Sequence, residues 1–167
     1  MSEWARARNI LAVRLDAMGD VLMTTPALRA LEAGGRRVSL LTSPSGAAIA
    51  RLIPEVDEVL VYEAPWMKAS RRADTAADEA LIATLRAKAF DAAVIFTVYS
   101  QSPLPAALVC YLAGIPRSLA YCRENPYRLL SDWQPETEPA QGIRHEVQRH
   151  LDLVASIGAQ TLNKRMS

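Results

Sequence analysis

The chain has 167 residues, with 19 lysines and arginines against 18 acidic residues for a net charge of +1, half of its residues apolar and only two cysteines. That length suits one domain with a sizeable core and no need of disulfides or a structural metal. The balanced charge excludes a chain-wide nucleic-acid footprint, and the apolar content excludes disorder. Cys110 and Cys122 fit neither a disulfide framework nor a Cys-x-x-Cys metal pattern, which points to a reducing, cytoplasmic setting.

In chain order, Trp4, Arg6 and Arg8 read as part of a frayed amino terminus, with no signal-peptide pattern. Asn9–Leu15 is apolar at nearly every position, the mark of a strand buried on both faces of a parallel sheet. Asp16–Asp20 is a tight loop, followed by a helix over Val21–Ala33 that ends at Gly34-Gly35. Pro26 allows two readings there: a bend in a helix begun near Asp20, or a helix capped by Thr25 with Pro26 as its first residue. A second strand over Arg37–Thr42 leads through the turn Ser43–Gly46 to a short helix over Ala47–Ile53, stopped by Pro54. A third strand, Glu58–Tyr62, precedes a polar, basic segment, Glu63–Asp74, and an amphipathic helix over Thr75–Lys88. Ala92–Phe96 is a fourth strand, Thr97–Ser102 a loop, and Pro103–Ala113 a helix ended by Gly114 and Pro116. The run Leu104–Ile115, broken by Pro105 and Gly114, falls short of the roughly 18 apolar residues a membrane span needs. Arg117–Tyr121 is a fifth strand, Cys122–Gly142 is irregular, and Ile143–Ile157 is a last helix with Val147, Leu151 and Val154 inward and Gly158 at its end.

Strands alternating with helices predict right-handed βαβ units: a three-layer, Rossmann-like α/β domain over residues 1–158 with a mostly parallel sheet, then a tail over 159–167. Ligands of such sheets sit outside the carboxyl ends of the strands. That rule nominates the loops Asp16–Asp20, Thr42–Gly46, Glu63–Asp74 and Thr97–Ser102, with the irregular segment around Arg123 as a fifth.

The first loop has the strand–turn–helix setting of a dinucleotide fingerprint but one glycine where three are needed, and two carboxylates where a pyrophosphate would lie. Asp20 is therefore a negative charge at a helix start, a position the helix amides favour. It can serve as a helix cap, or, in a cleft, take a proton from an attacking hydroxyl. Lys68, Arg71 and Arg72 place three cations within five residues beside Trp66, either as a solvated surface turn or as a holder of phosphate or carboxylate groups. His145 and His150 lie five apart, on different sides of a helix, which does not suit a metal pair. Ser100 lacks a nucleophile-elbow motif, no Asp-x-Asp pair occurs, and Cys110 belongs to an apolar helix as a core residue.

The stretch Ile10–Leu31, with its Arg-x-Asp-x-x-Gly-Asp-x-x-x-Thr-Thr-Pro-Ala-Leu pattern, resembles the amino-terminal signature of the family 9 glycosyltransferases, the ADP-heptose:lipopolysaccharide heptosyltransferases and their relatives. The similarity continues through Leu40–Gly46, Val56–Val59, Asp91–Val94, Gly114–Pro116 and Arg144–Val147. It implies the amino-terminal, acceptor-binding half of a GT-B enzyme, two Rossmann-like lobes facing a cleft, with the donor ADP-sugar on a second lobe outside these residues. It further implies an inverting transfer to a lipopolysaccharide or lipid-linked sugar acceptor, Asp20 as general base, no cofactor and no metal in this half, and acceptor contacts from Lys68, Arg71, Arg72 and Arg123. The setting it implies is cytoplasmic, with peripheral membrane association and neither a transmembrane segment nor a nucleic-acid partner, and such a half would be inactive alone. Two rival readings are a stand-alone, flavodoxin-like small-molecule or nucleotide-binding module, which needs an anion site at a strand end, and a truncated product with only structural value.

Overall fold

A computed structural model describes residues 2–68, 70–72 and 74–166. Ala69 and Ala73 of the polar segment, Met1 and the last tail residue, Ser167, lie outside the described residues. In chain order the elements are α1 (Glu3–Arg6), β1 (Asn9–Arg14), α2 (Met18–Met23), α3 (Thr25–Glu32), β2 (Arg37–Thr42), α4 (Pro44–Ala50) and β3 (Glu58–Val61). They continue with α5 (Ala76–Lys88), β4 (Ala92–Ile95), α6 (Leu104–Leu112), β5 (Ser118–Cys122), a single 3-10 turn (Tyr127–Leu129), β6 (Asp132–Pro135) and α7 (Glu146–Ala155).

The sheet has six strands in the order β3-β2-β1-β4-β5-β6, every neighbouring pair parallel. This is the doubly wound, Rossmann-like arrangement, and the order reverses between β1 and β4. The near-continuous apolar run of β1 has its explanation in the two layers it feeds. Ile10 and Ala12 join Leu28, Leu31, Leu153 and Val154 on the face covered by α3 and α7. Leu11 and Val13 join Leu81, Leu85, Ala107 and Cys110 on the face covered by α5 and α6. Period-2 side-chain alternation with both faces covered requires an apolar residue at each position.

Four expectations are corrected. The amino terminus is ordered: Ser2 caps α1, Trp4 is buried in the core, and the Arg8 guanidinium donates to the Gly34 carbonyl at 3.0 Å. The helix expected over Val21–Ala33 begins earlier and is broken at Thr24 into α2 and α3. The hydroxyls of Thr24 and Thr25 bond back to the carbonyls of Val21 and Leu22, and Pro26 lies in the first turn of α3, where its missing N–H costs nothing. The turn Ser43–Gly46 is largely helix, since α4 starts at Pro44 with Ser43 as its cap. The segment Cys122–Gly142 contains a sixth strand; β6 is short, polar and ends on Pro135, a composition tolerated only at a sheet edge.

Candidate active site

β1 carries Arg14 as its last residue, wholly buried at the carboxyl edge of the sheet. A buried guanidinium must be paired and hydrogen-bonded, and four side chains from three segments converge on it. Its Nε stands 2.9 Å from Asp16 Oδ2, an ionic contact without hydrogen-bond alignment. Its Nη2 lies 3.6 Å from Asp20 Oδ1 and 3.3 Å from Glu146 Oε2 on α7. Its Nη1 is 2.9 Å from Nε2 of His150. Arginine can only donate, so Nε2 is the acceptor and the proton of this imidazole resides on Nδ1. Burial first, and Arg14 second, hold the His150 pKa well below the ordinary imidazole range. Glu146 is shifted the other way: desolvation raises its carboxyl pKa, Arg14 opposes that, and the charge of Asp20 adds to it.

Asp20 is the third residue of α2, not its cap. The cap position is Ala17, whose N–H donates to Asp20 Oδ2 at 3.0 Å, half of a capping box that closes the loop. One carboxylate oxygen thus holds the helix start and the other faces Arg14. The side chain nevertheless remains 33% exposed and lines a cavity of about 500 Å³. The walls of that cavity come from the β1–α2 loop, the start of α4 and the segment after β3, and include Asp16, Ser43, Ser45, Glu63, Lys68 and Ser70. Ser43 ties two of these walls together, its hydroxyl donating to the Asp16 carbonyl at 2.6 Å while accepting from Gly46 N–H at 3.0 Å. Gln101 from the β4–α6 loop reaches Asp16 Oδ1 at 3.4 Å.

The four cations proposed from the sequence separate. Lys68 lines the cavity with Asp20. Arg71 is exposed; its backbone N–H donates to Glu63 Oε1 at 2.8 Å and its guanidinium to the Ser70 carbonyl at 3.3 Å. Arg72 forms a two-pronged pair with Asp78, at 2.6 and 3.2 Å, and donates to the Glu63 carbonyl at 2.8 Å. Tyr62 completes that group by donating to Asp78 at 2.6 Å, and desolvation together with this bond raises the phenol pKa. Arg123 lies across the sheet, donating to the carbonyls of Tyr99 at 2.7 Å and Glu138 at 2.5 Å. The guanidinia of Arg72 and Arg123 therefore anchor loops, and Lys68 is the one of the four that shares the cavity with Asp20.

Arg14, Glu146 and His150 had no place among the candidates read from the sequence. A usable signal existed for the first: a lone arginine inside an otherwise apolar, doubly covered strand has to find carboxylates. His145 is the exposed cap of α7 and His150 is buried, so the two histidines are indeed separated. Among the described residues no cluster of three metal-ligating side chains occurs, and no helix is long and apolar enough to cross a membrane.

No protein-family model matches the sequence, and no curated protein matches it. Solved structures do match the fold. A glycosyl transferase family 9 protein from Veillonella parvula superposes with a TM-score of 0.72 at 13% identity, over 96% of this chain and 43% of that one. The ADP-heptose lipopolysaccharide heptosyltransferase II of E. coli gives 0.63 at 22% identity, over 87% and 40%. The E. coli heptosyltransferase WaaC, solved with ADP-2-deoxy-2-fluoro heptose, gives 0.65 at 22% identity, over 94% and 50%. The chain spans half the length of these structures or less, and at such identities the likeness is one of fold.

Proposed function

We propose that this chain is the acceptor-side lobe of a GT-B glycosyltransferase of the heptosyltransferase type, with Asp20 as the general base. The observation that carries the reading is the position of Asp20: a carboxylate at the carboxyl end of the first strand, held by Ala17 N–H and Arg14, and open to a cavity large enough for a sugar ring. The fold likeness to heptosyltransferases supports it, as does the Gly-Asp signature in the β1–α2 loop. The donor ADP-sugar binds a second lobe outside these 167 residues, and the acceptor is a saccharide of the lipopolysaccharide or lipid-linked kind, reached from the cytoplasmic membrane face.

In the reaction, an acceptor hydroxyl attacks the anomeric carbon of the donor. The new carbon–oxygen bond forms as the bond from that carbon to the phosphate oxygen breaks, ADP departs with the electron pair, and the anomeric centre inverts. The hydroxyl proton passes to Asp20. Arg14 keeps that carboxylate oriented, and general-base assistance of this kind contributes roughly 10²–10⁴-fold. Stabilisation of the leaving diphosphate falls to the second lobe.

The test is transfer by a protein containing both lobes. Asp20→Asn should lower kcat by about 10²-fold or more while donor affinity stays near that of the parent. A near-normal rate would return Asp20 to a purely capping role. Titration of the isolated chain with ADP and with flavin nucleotides should show no saturable binding. Tight binding of either would favour the nucleotide-binding module instead.

A further inference from the structure

A buried guanidinium cannot lose its counter-charge without cost, and a general base changes its charge each time it works. Arg14 meets both demands through unequal partnerships. Its Nε stands 2.9 Å from Asp16 Oδ2, and its Nη2 donates to Glu146 Oε2 at 3.3 Å. Asp20 Oδ1 stands 3.6 Å from the same Nη2, beyond hydrogen-bond distance, and Ala17 N–H holds the other oxygen of that carboxylate. When Asp20 takes a proton, Arg14 therefore keeps two carboxylates, and no buried charge is orphaned. Glu146 is placed outside the chemistry: it starts α7, its side chain is 22% exposed, and it does not line the cavity beside Asp20.

From this unequal sharing we infer that Glu146 is a positioning residue for the base: as the standing counter-ion of Arg14 it occupies the guanidinium and leaves Asp20 free to take the proton of the acceptor hydroxyl. The inference rests on the proposed reading of Asp20 as general base. Charge favours the arrangement in two ways. An ionised Glu146 draws Arg14 away from Asp20, and its own negative charge favours proton uptake by a nearby carboxylate. The same repulsion acts on Glu146, where Asp20 adds to the rise in carboxyl pKa that desolvation causes and Arg14 opposes. The other charged groups about the pair have settled partners. His150 is buried and held neutral, with Nε2 accepting from Arg14. Arg149, which also opposes the Glu146 shift, is bound to Glu136 and Glu138, and Arg144 to Glu138 and Asp152. His145 caps α7 through Nδ1, while Asp16, Glu63 and Lys68 line the cavity with Asp20.

The experiment is a carbon-detected nuclear magnetic resonance titration of the side-chain carboxyl groups in the 167-residue chain. The parent is compared with Glu146→Gln, Glu146→Asp and Asp20→Asn, and amide spectra check that each variant is folded. In Asp20→Asn the Glu146 midpoint should fall back toward the ordinary carboxylate range. In Glu146→Gln, whose amide oxygen still accepts from Arg14, the Asp20 midpoint should move to lower pH by the same amount, because coupling between two sites is reciprocal. Glu146→Asp keeps the charge and should leave Asp20 nearer the parent. In a protein containing both lobes, Glu146→Gln should lower kcat about three- to tenfold, a small part of what a general base contributes, with the acceptor KM unchanged. An Asp20 titration identical in parent and Glu146→Gln, or a shift on one side of the pair without the other, would overturn the inference and leave Asp20 as the base. Reciprocal shifts beside a near-normal transfer rate in Asp20→Asn would overturn the base reading, and the inference with it.

Discussion

Arg14 and His150 show how much of this site is decided by one buried pair. The imidazole accepts from the guanidinium at 2.9 Å, so it must be neutral for the contact to exist. Its pKa is depressed in the folded chain, by burial and then by Arg14, and the unfolded chain takes up the proton at an ordinary imidazole pKa near 6.5. The unfolded state therefore binds more protons below about pH 6.5, and stability falls as the pH drops through that range, by up to about 1.4 kcal/mol per pH unit. Glu146 acts in the opposite sense, since its raised carboxyl pKa adds stability as the pH falls toward the ordinary carboxylate range. Urea unfolding at pH 7.5 and 5.5 should show the net loss, and His150→Gln, whose side-chain oxygen can still accept from Arg14, should flatten it. Equal slopes in parent and variant would mean that another group titrates.

At the scale of elements, the cavity depends on how closely α2 and α4 approach. Gly46 sits in the first turn of α4, and a β-carbon there would lie 2.3 Å from Thr42 Oγ1 and 2.9 Å from Val21 Cγ2. Neither neighbour can yield freely, because Thr42 ends β2 wholly buried and Val21 is buried on α2. Gly46→Ala should cost about 1–3 kcal/mol, the range for overpacking a filled interior. Thr42→Ala should recover part of that in the double variant, since contacting sites couple. Chemical denaturation of the two single variants and the double variant measures the coupling, and simple additivity would place the strain elsewhere. The same pair of helices explains why the turn Ser43–Gly46 is not visible as helix in the sequence. Pro44, Ser45 and Gly46 are weak helix formers, and what holds them is the Ser43 cap together with its bond to the Asp16 carbonyl across the loop.

At the scale of the whole molecule, the late edge of the sheet is tied to α7 through Arg149. Its guanidinium bonds Glu136 at 2.7 and 2.8 Å, Glu138 at 2.5 Å and the Thr97 carbonyl at 2.9 Å, all inside the fold. It also lies over the Tyr121 ring at 4.6 Å. Desolvation would raise the pKa of both glutamates, but the bonds to Arg149 and neighbouring N–H groups outweigh it and hold them below the ordinary range. Such carboxylates stabilise the fold above that range, and the contribution is lost as the pH falls through it. Arg149→Met should cost about 3–5 kcal/mol at neutral pH by taking the nearest counter-ion from two buried carboxylates, leaving Glu138 only its longer contact with Arg144 at 3.5 Å. The cost should shrink near pH 4, where those orphaned groups take up protons. Denaturation at both pH values checks this, and a pH-independent cost would indicate lost packing alone.

The sequence by itself determined the alternating α/β architecture, because a parallel sheet covered on both sides demands short runs apolar at each position, and those runs are local. It also determined Asp20 as a charge at a helix start, because the Gly-Asp turn follows the first strand directly. Tertiary structure alone decided the ordered amino terminus, where Trp4 stabilises α1 by burial in a core built from distant residues. It decided the polar edge strand β6, whose partner β5 supplies the ladder its own composition does not favour. It alone separated Lys68 from Arg72 and Arg123, since a cation's availability depends on which carboxylates and carbonyls the fold brings against it. And it alone brought Arg14 to Glu146 and His150, each more than a hundred residues further along the chain, where β1 and α7 meet at the carboxyl edge of the sheet.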